Sequence, residues 1–529
     1  MIRPVKIALP LSFSIILLVT GIGQAQRAAP FRIEEATIAQ IHSALTAGRL
    51  TCAALVNQYL ERIESFDKKG PAINAITVIN PSVRSEASAL DARMKVSGLT
   101  GPLHCVPMIV KDNFETAGLQ TAAGSLALKD FDPGRDAFQV KRVKGAGAIV
   151  LAKSNMAEWA FSPYETVNSV LPGYTRNPYA LDRVTAGSSG GTAAAIAANF
   201  GAVGLGSDTG NSIRGPSSHQ ALVGIRSTMG LTSRGGVVPL SMLADVAGPM
   251  ARTVEDAVAV FQVIVGEDPA DPVTLAQDFE PSGMRPGGRP ASVPDYKASL
   301  VKSGLKGARI GILRQAYERE TTSTEIVNVF MAAVEEMTKA GAVIVDPATV
   351  EGLDRIRRPA GPGACGGFKY DINRYLASLG DRVPVKNLEA IIRSRRFHPS
   401  VELRLTRAQE GSENGLDTPA CKAEADYRET FRAAVLKTME AHSLDAFVYP
   451  TWSNPPRLIG DLNTPHGDNS QVFSPTTGFP AINVPMGYTV GDTLPAGVTF
   501  FGRGWDEATL IKLAYGYEQA THHRRTPKL

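Results

Sequence analysis

Gly201–Ser218 reads GAVGLGSDTGNSIRGPSS, and a second small-residue run just upstream, Gly187–Ala195, reads GSSGGTAAA. Ahead of both, Pro107–Asn113 reads PMIVKDN and sets Lys111 directly behind apolar residues. Two glycine- and serine-rich loops and one lysine in an apolar setting form an unusual inventory. It supplies a nucleophile, a relay hydroxyl, a base and backbone donors without a histidine. A serine hydroxyl is a weak nucleophile until a base removes its proton. Lysine is a base near neutral pH only if its pKa falls, and burial among Val106, Met108, Ile109 and Val110 would lower it.

Outward from these segments the pattern is α/β. Thr51 followed by Leu55, Val56, Tyr59, Leu60 and Ile63 predicts a capped amphipathic helix. Short β-branched runs predict strands at Ala148–Ala152, Arg309–Leu313, Ala342–Val345, Ala446–Tyr449, Ala481–Val484 and Val498–Phe501. Thr324–Lys339, with Val327, Phe330, Val334 and Met337 on one face, is a helix between the second and third of these. That β-helix-β order predicts parallel strands in a mixed sheet. A last helix begins at Asp506 and turns Leu510, Leu513, Ala514 and Tyr517 inward. Two stretches, about 268–294 and 355–426, read as surface insertions, the second near a substrate mouth.

The 529 residues carry 55 basic and 51 acidic side chains, a near-balance that gives no reason to expect a nucleic-acid partner. The N-terminus has the three parts of a secretory signal. Arg3 and Lys6 are the positive region, Ile7–Ile22 is largely apolar, and Gly23-Gln24-Ala25 offers small residues for cleavage. Residues 1–25 are therefore expected to be removed, leaving no stable membrane insertion and a periplasmic or secreted protein. Cys52, Cys105, Cys365 and Cys421 are too few and scattered for a disulfide framework. Export would permit one bridge, with Cys365–Cys421 first in line, but buried unpaired thiols are the expectation.

Other motifs fail on context. Gly187–Gly191 fits G-x-S-x-G, which would make Ser189 the nucleophile of a strand-turn-helix elbow. The preceding Arg176–Ala186 contains Pro178 and alternating polar residues, so the required strand is missing. Gly147–Ser154 nearly fits a phosphate-binding loop, but Ala152 replaces its second glycine and the interior is a hydrophobic strand. No H-E-x-x-H or similar spacing points to a metal.

Five segments together carry a family resemblance: GPLHCVPMIVKDNF (101–114), GAIVLAKSNMAEWA (147–160), TAGSSGGTAAA (185–195), GSDTGNSIRGPSS (206–218) and TGFPAINVP (477–485). In this order they resemble the amidase signature family over nearly the whole chain. The resemblance implies one α/β domain, residues 26–529, with a twisted mixed β-sheet core flanked by α-helices. It implies Ser212 as nucleophile, Ser188 as a bridging serine entered through a non-proline cis peptide, and Lys111 as general base. Thr209, Gly210 and Asn211 would form the oxyanion loop. Asn211 stands where glycine is commoner, and asparagine tolerates left-handed backbone better than other non-glycine residues. Cys105 likewise stands where glycine is usual.

The implied reaction is cleavage of linear carboxamides through an acyl-enzyme by a monomer or homodimer, without cofactor or metal. Phe368–Gly380, FKYDINRYLASLG, further resembles the bacterial peptide-amidase-like branch and points to small-molecule or peptide amides. The alternatives are the glutaminase-like component of a tRNA-dependent amidotransferase, and an esterase or carbamate hydrolase on the same scaffold.

Overall fold

In the computed structural model the described residues are 1–529 apart from 6–30, 276–284, 360–364, 414–417 and positions 3, 163, 172, 291 and 466. Most of the expected leader thus lies outside the described residues. Eleven strands among the described residues form one sheet: β1 (Ile76–Ile79), β2 (Pro107–Lys111), β3 (Ile149–Ser154), β4 (Val203–Asp208), β5 (Val223–Arg226), β6 (Val246–Ala251), β7 (Arg309–Ile312), β8 (Val343–Val345), β9 (Ala446–Pro450), β10 (Ala481–Thr489) and β11 (Leu494–Phe501). Their order is β1-β3-β2-β4-β6-β5-β10-β11-β9-β7-β8. The strands β3, β2 and β4 run parallel, as do β9, β7 and β8, while the centre is antiparallel. Helices flank this sheet, and the architecture is the single mixed α/β domain that the periodicity and the resemblance pointed to.

The amphipathic segments behave as their patterns require. The Thr51 hydroxyl accepts from the Ala54 N–H and caps the helix Cys52–Ile63, whose apolar face is buried. The helix Thr324–Lys339 connects β7 to β8, which are parallel. The last helix spans Glu507–Thr521 and buries Leu510, Leu513, Ala514 and Tyr517.

Gly201–Ser218 departs from the loop reading. Its first part is β4, and Arg214–Ser218 forms a short helix. The glycines that read as loop formers include spacers: a Cβ at Gly204 would meet the Thr192 Cγ2 at 2.5 Å, on the helix Gly190–Ala197 packed against this strand. β2 and β4 are buried at every position, so they lack the polar alternation by which half-exposed strands are recognised.

The cysteines also depart from expectation. The structure pairs Cys365 with Cys421 and Cys52 with Cys105, with Cα–Cα separations of 4.6 and 5.6 Å. The partners stand 56 and 53 residues apart in the chain, so only tertiary packing brings them together. Cys105 has φ +63°, a conformation natural to glycine, which accounts for the glycine expected there.

Residues 355–426 contribute the helices Phe368–Ser378, Leu388–Ser394 and Glu402–Gln409, together with the start of Pro419–Ala441. They cover a second apolar cluster that includes Trp159, Phe161, Phe368, Ile372 and Leu405. This cluster lies beside the cavity described next. Among the described residues no helix is long and apolar enough to cross a membrane.

Candidate active site

Parallel strands direct their C-terminal ends to one edge of a sheet, where loops can converge on a ligand. Here β2 lies between β3 and β4, with Lys111 opposite Ser154 and Val110 opposite Leu205. Lys111 therefore ends its strand beside Ser207 and Asp208, the last two residues of β4. Its Nζ donates to Ser188 Oγ at 2.7 Å and to Ser207 Oγ at 2.9 Å. The Gly187–Ser188 peptide is cis. Lys111 is completely buried, and this desolvation lowers its pKa to about 7, although Asp245 and Asp208 partly oppose the fall.

Two carboxylates, Asp112 next in the chain and Asp208 at the end of β4, are close enough in the fold to compete for this lysine. Neither forms an ion pair with it among the described residues. Asp112 faces Lys153 at 3.6 Å, and Asp208 contacts Arg214 at 3.1 Å and Arg226 at 2.9 Å. Lys111 is thus left with hydroxyl neighbours, an environment that favours the neutral amine.

Ser212 is 5% exposed and lines a polar cavity of about 340 Å³ together with Thr209, Gly210 and Asn211. Its hydroxyl makes no hydrogen bond among the described residues. The Asp208 carboxylate accepts from the N–H groups of Ile213 and Arg214 at 3.1 and 3.4 Å, and Arg214 donates to the Gly210 carbonyl at 2.7 Å. Burial opposes ionisation of Asp208, but Arg214 and Arg226 outweigh it and hold the carboxyl at about 2. This buried cluster fixes the loop while the N–H groups of Gly210, Asn211 and Ser212 find no acceptor among the described residues. Such free donors beside a hydroxyl are what a developing oxyanion needs.

Ser189 does not share this exposure. Its hydroxyl donates to the Ser207 carbonyl at 3.2 Å inside the protein, at the start of the helix Gly190–Ala197. Among the described residues no strand leads into it, so the hydrolase-elbow context is absent in the structure as in the sequence.

Asn211 needs a correction. Its φ is not positive, so the left-handed conformation that motivated concern about this residue does not occur. Its side chain is tucked against the following helix rather than spread over the acyl site: a Cβ on Gly215 would collide with Asn211 Nδ2. Both amide atoms are buried without a hydrogen-bond partner among the described residues. Replacing the side chain therefore removes no bond and relieves two desolvated polar atoms. Asn211→Ala is expected to retain kcat within about threefold, with stability changed by less than about 1 kcal/mol. Steady-state kinetics and thermal unfolding check this, and a kcat loss of roughly 100-fold would restore a direct role for the side chain.

Sequence reasoning overlooked Ser207, Arg214 and Arg226. Ser207 Oγ accepts from Lys111 and, at 3.0 Å, from Asn113 Nδ2, so it helps hold the amine against Ser188. The adjacent Gly-Ser-Asp and Ser-Ile-Arg triplets were visible, but nothing in them says that Asp208 ties to Arg214 and to a residue on β5. Among the described residues no group of three or more His, Cys, Asp or Glu side chains could hold a metal.

A desolvated lysine set among serine hydroxyls beside a polar cavity makes this part of the α/β scaffold the candidate site of a hydrolase. Similarity to known proteins narrows this class. The Amidase family model matches residues 54–511. A probable amidase of Arabidopsis thaliana is 34% identical over 542 residues, covering 99% of this chain and 97% of its own. A glutamyl-tRNA(Gln) amidotransferase component from Alkaliphilus metalliredigens is 34% identical, covering 92% and 97%. The crystal structure of peptide amidase from Stenotrophomonas maltophilia is 35% identical, with a TM-score of 0.79 over 94% of this chain and 99% of that one. The chain belongs to the amidase family and is an amide-hydrolysing enzyme.

Proposed function

We propose that this protein hydrolyses linear carboxamides, peptide amides foremost, through an acyl-enzyme on Ser212. The observation that carries the reading is the 2.7 Å contact from buried Lys111 Nζ to Ser188 Oγ, next to a serine that opens on a polar cavity. Neutral Lys111 takes a proton from Ser188 as Ser188 takes one from Ser212. Ser212 Oγ then attacks the amide carbonyl, and the N–H groups of the 210–212 loop receive the oxygen's charge. The proton returns along the same path to the departing amine, and water repeats the sequence to release the acid. The Ser212–Ser188 link closes as substrate aligns the two hydroxyls, since such contacts tighten in the bound complex.

Similarity to the Stenotrophomonas peptide amidase supports peptide amides over the glutaminase-like reading. Sequence identity alone does not separate the two, at 34% for the Alkaliphilus metalliredigens amidotransferase component and 35% for the peptide amidase; the likeness of fold favours the peptide amidase, with a TM-score of 0.79 against 0.69 for the amidotransferase component of Thermotoga maritima. The test is ammonia release from N-acylated peptide amides, with a fluorophosphonate to mark the nucleophile by mass spectrometry. Absence of ammonia from every primary amide, and of the free amine from every N-substituted one, in a panel spanning acyl and amine size would reject the reading. So would labelling of a serine other than Ser212.

Export belongs to the same proposal. Arg3, Lys6, the apolar Ile7–Ile22 and Gly23-Gln24-Ala25 motivate it, and two disulfides suit an oxidising compartment. Protein isolated from its native host is expected to begin near Gln26 on N-terminal sequencing. An intact N-terminus in the soluble cytoplasmic fraction would overturn this.

A further inference from the structure

We infer that the lip of the cavity selects amides bearing a carboxylate away from the scissile bond, with Arg404 and Arg358 as the recognising groups. This rests on the amide-hydrolase reading of the same site and adds a substrate class to it. Among the described residues the charged side chains in the cavity wall are Arg358, Arg404, Arg428 and Glu424. Arg428 and Glu424 are both buried and meet at 3.0 Å, and Arg428 also donates to the carbonyls of Pro475 and Thr476. That pair is internally satisfied and close to neutral.

The other two arginines are not matched in this way. Arg358 donates from Nε and Nη2 to the two oxygens of the already paired Glu424 carboxylate, both at a long 3.4 Å, which leaves Nη1 uncommitted, and its side chain is 66% exposed. Arg404 gives an N–H to the Phe161 carbonyl and has no carboxylate partner among the described residues. Among the described residues none of the nearby acids pairs with Arg358 or Arg404 apart from Glu424. Asp208 is taken by Arg214 and Arg226, Asp245 accepts from the Thr209 hydroxyl and the N–H groups of Leu240 and Ser241, and Asp468 accepts from Gln471 and the Ser470 N–H.

Two guanidinium groups thus stand over the cavity with donors to spare. A guanidinium fork fits a carboxylate bidentately, and a cleft lined by one sign of charge concentrates ligands of the other. The carboxylate could enter on the acyl part or on the leaving amine, and the two sources are separable by choice of substrate.

The experiment compares kcat/KM for matched pairs at low salt on the purified protein. Acetyl-Glu-Leu-amide against acetyl-Gln-Leu-amide tests the acyl side. Acetyl-leucyl 4-carboxyanilide against acetyl-leucyl anilide tests the leaving side. The acidic member of one pair is expected to be preferred about tenfold, and the pair that shows it identifies the source. Arg404→Gln and Arg358→Gln should each cut that ratio several-fold, and the double variant should bring it close to one. Arg404→Lys should keep only part of it, since an ammonium retains the charge but not the fork, and rising salt should shrink it. A ratio near one in the parent protein overturns the inference. So does an unchanged ratio in the double variant, or an equal slowing of both members by Arg404→Gln, which would leave Arg404 as a brace for Phe161. Failure to turn over any of the four would instead overturn the amidase reading beneath it, and this inference with it.

Discussion

Ser212→Ala is expected to lower kcat on a good amide by roughly 10⁴-fold or more, the scale seen when the nucleophile of a serine hydrolase is removed. Its fold should survive. The Ser212 hydroxyl faces the cavity and makes no hydrogen bond among the described residues, so alanine strands no partner and opens no core void. Thermal unfolding within about 0.5 kcal/mol of the parent, with loss of fluorophosphonate labelling, completes the expected result. Retained turnover near the parent rate would remove Ser212 from the nucleophile's place. Ser189 would then return as the candidate, despite its hydroxyl being turned toward the Ser207 carbonyl.

The second large effect is expected at Lys111. With burial holding its pKa at about 7, the neutral, proton-accepting form grows as pH rises through 7. The sign follows directly: kcat/KM for an amide should climb about tenfold per pH unit well below 7 and level off above it. Lys111→Met keeps the length of the side chain and removes the amine. It should cost roughly 10²–10⁴-fold on amides, the span of general acid–base catalysis, and abolish the acid limb of the pH profile. Loss on an ester of the same acid should be clearly smaller. An amine needs the relayed proton to depart, whereas an alkoxide leaves without it. Equal losses on amide and ester would argue against proton return as the particular duty of Lys111 and Ser188. A profile already flat between pH 5 and 8 in the parent protein would exclude Lys111 as the titrating base.

Chain order alone made much of this protein legible. Apolar spacing over Thr324–Lys339 and the β-branched runs on either side predicted a helix joining two parallel strands, and β7 and β8 are parallel. Periodicity works there because one face of the helix meets the core and the other meets water. It is silent for β2 and β4, where burial on both faces erases alternation and glycines serve as spacers under a helix. The candidate site was legible as a list of residue types: small-residue loops and a lysine with apolar neighbours read out directly.

What the list could not contain was which groups face one another. Lys111 and Ser188 stand 77 residues apart, yet the parallel packing of β2 against β4 and the entry of the Gly187–Ser188 segment bring their polar atoms to 2.7 Å. The sequence determined that a lysine would be desolvated, because its own neighbours are apolar. Only the tertiary structure decided that Asp208 turns to Arg214 and Arg226 and Asp112 to Lys153, leaving that lysine among hydroxyls. The same holds for Cys52 and Cys105, and for Asn211, whose side chain lies in the space that Gly215 leaves open. Local propensity is written in adjacent residues. Charge pairing, sulfur pairing and side-chain direction depend on separations that chain order does not encode, because they are fixed when distant segments compete for the same buried space.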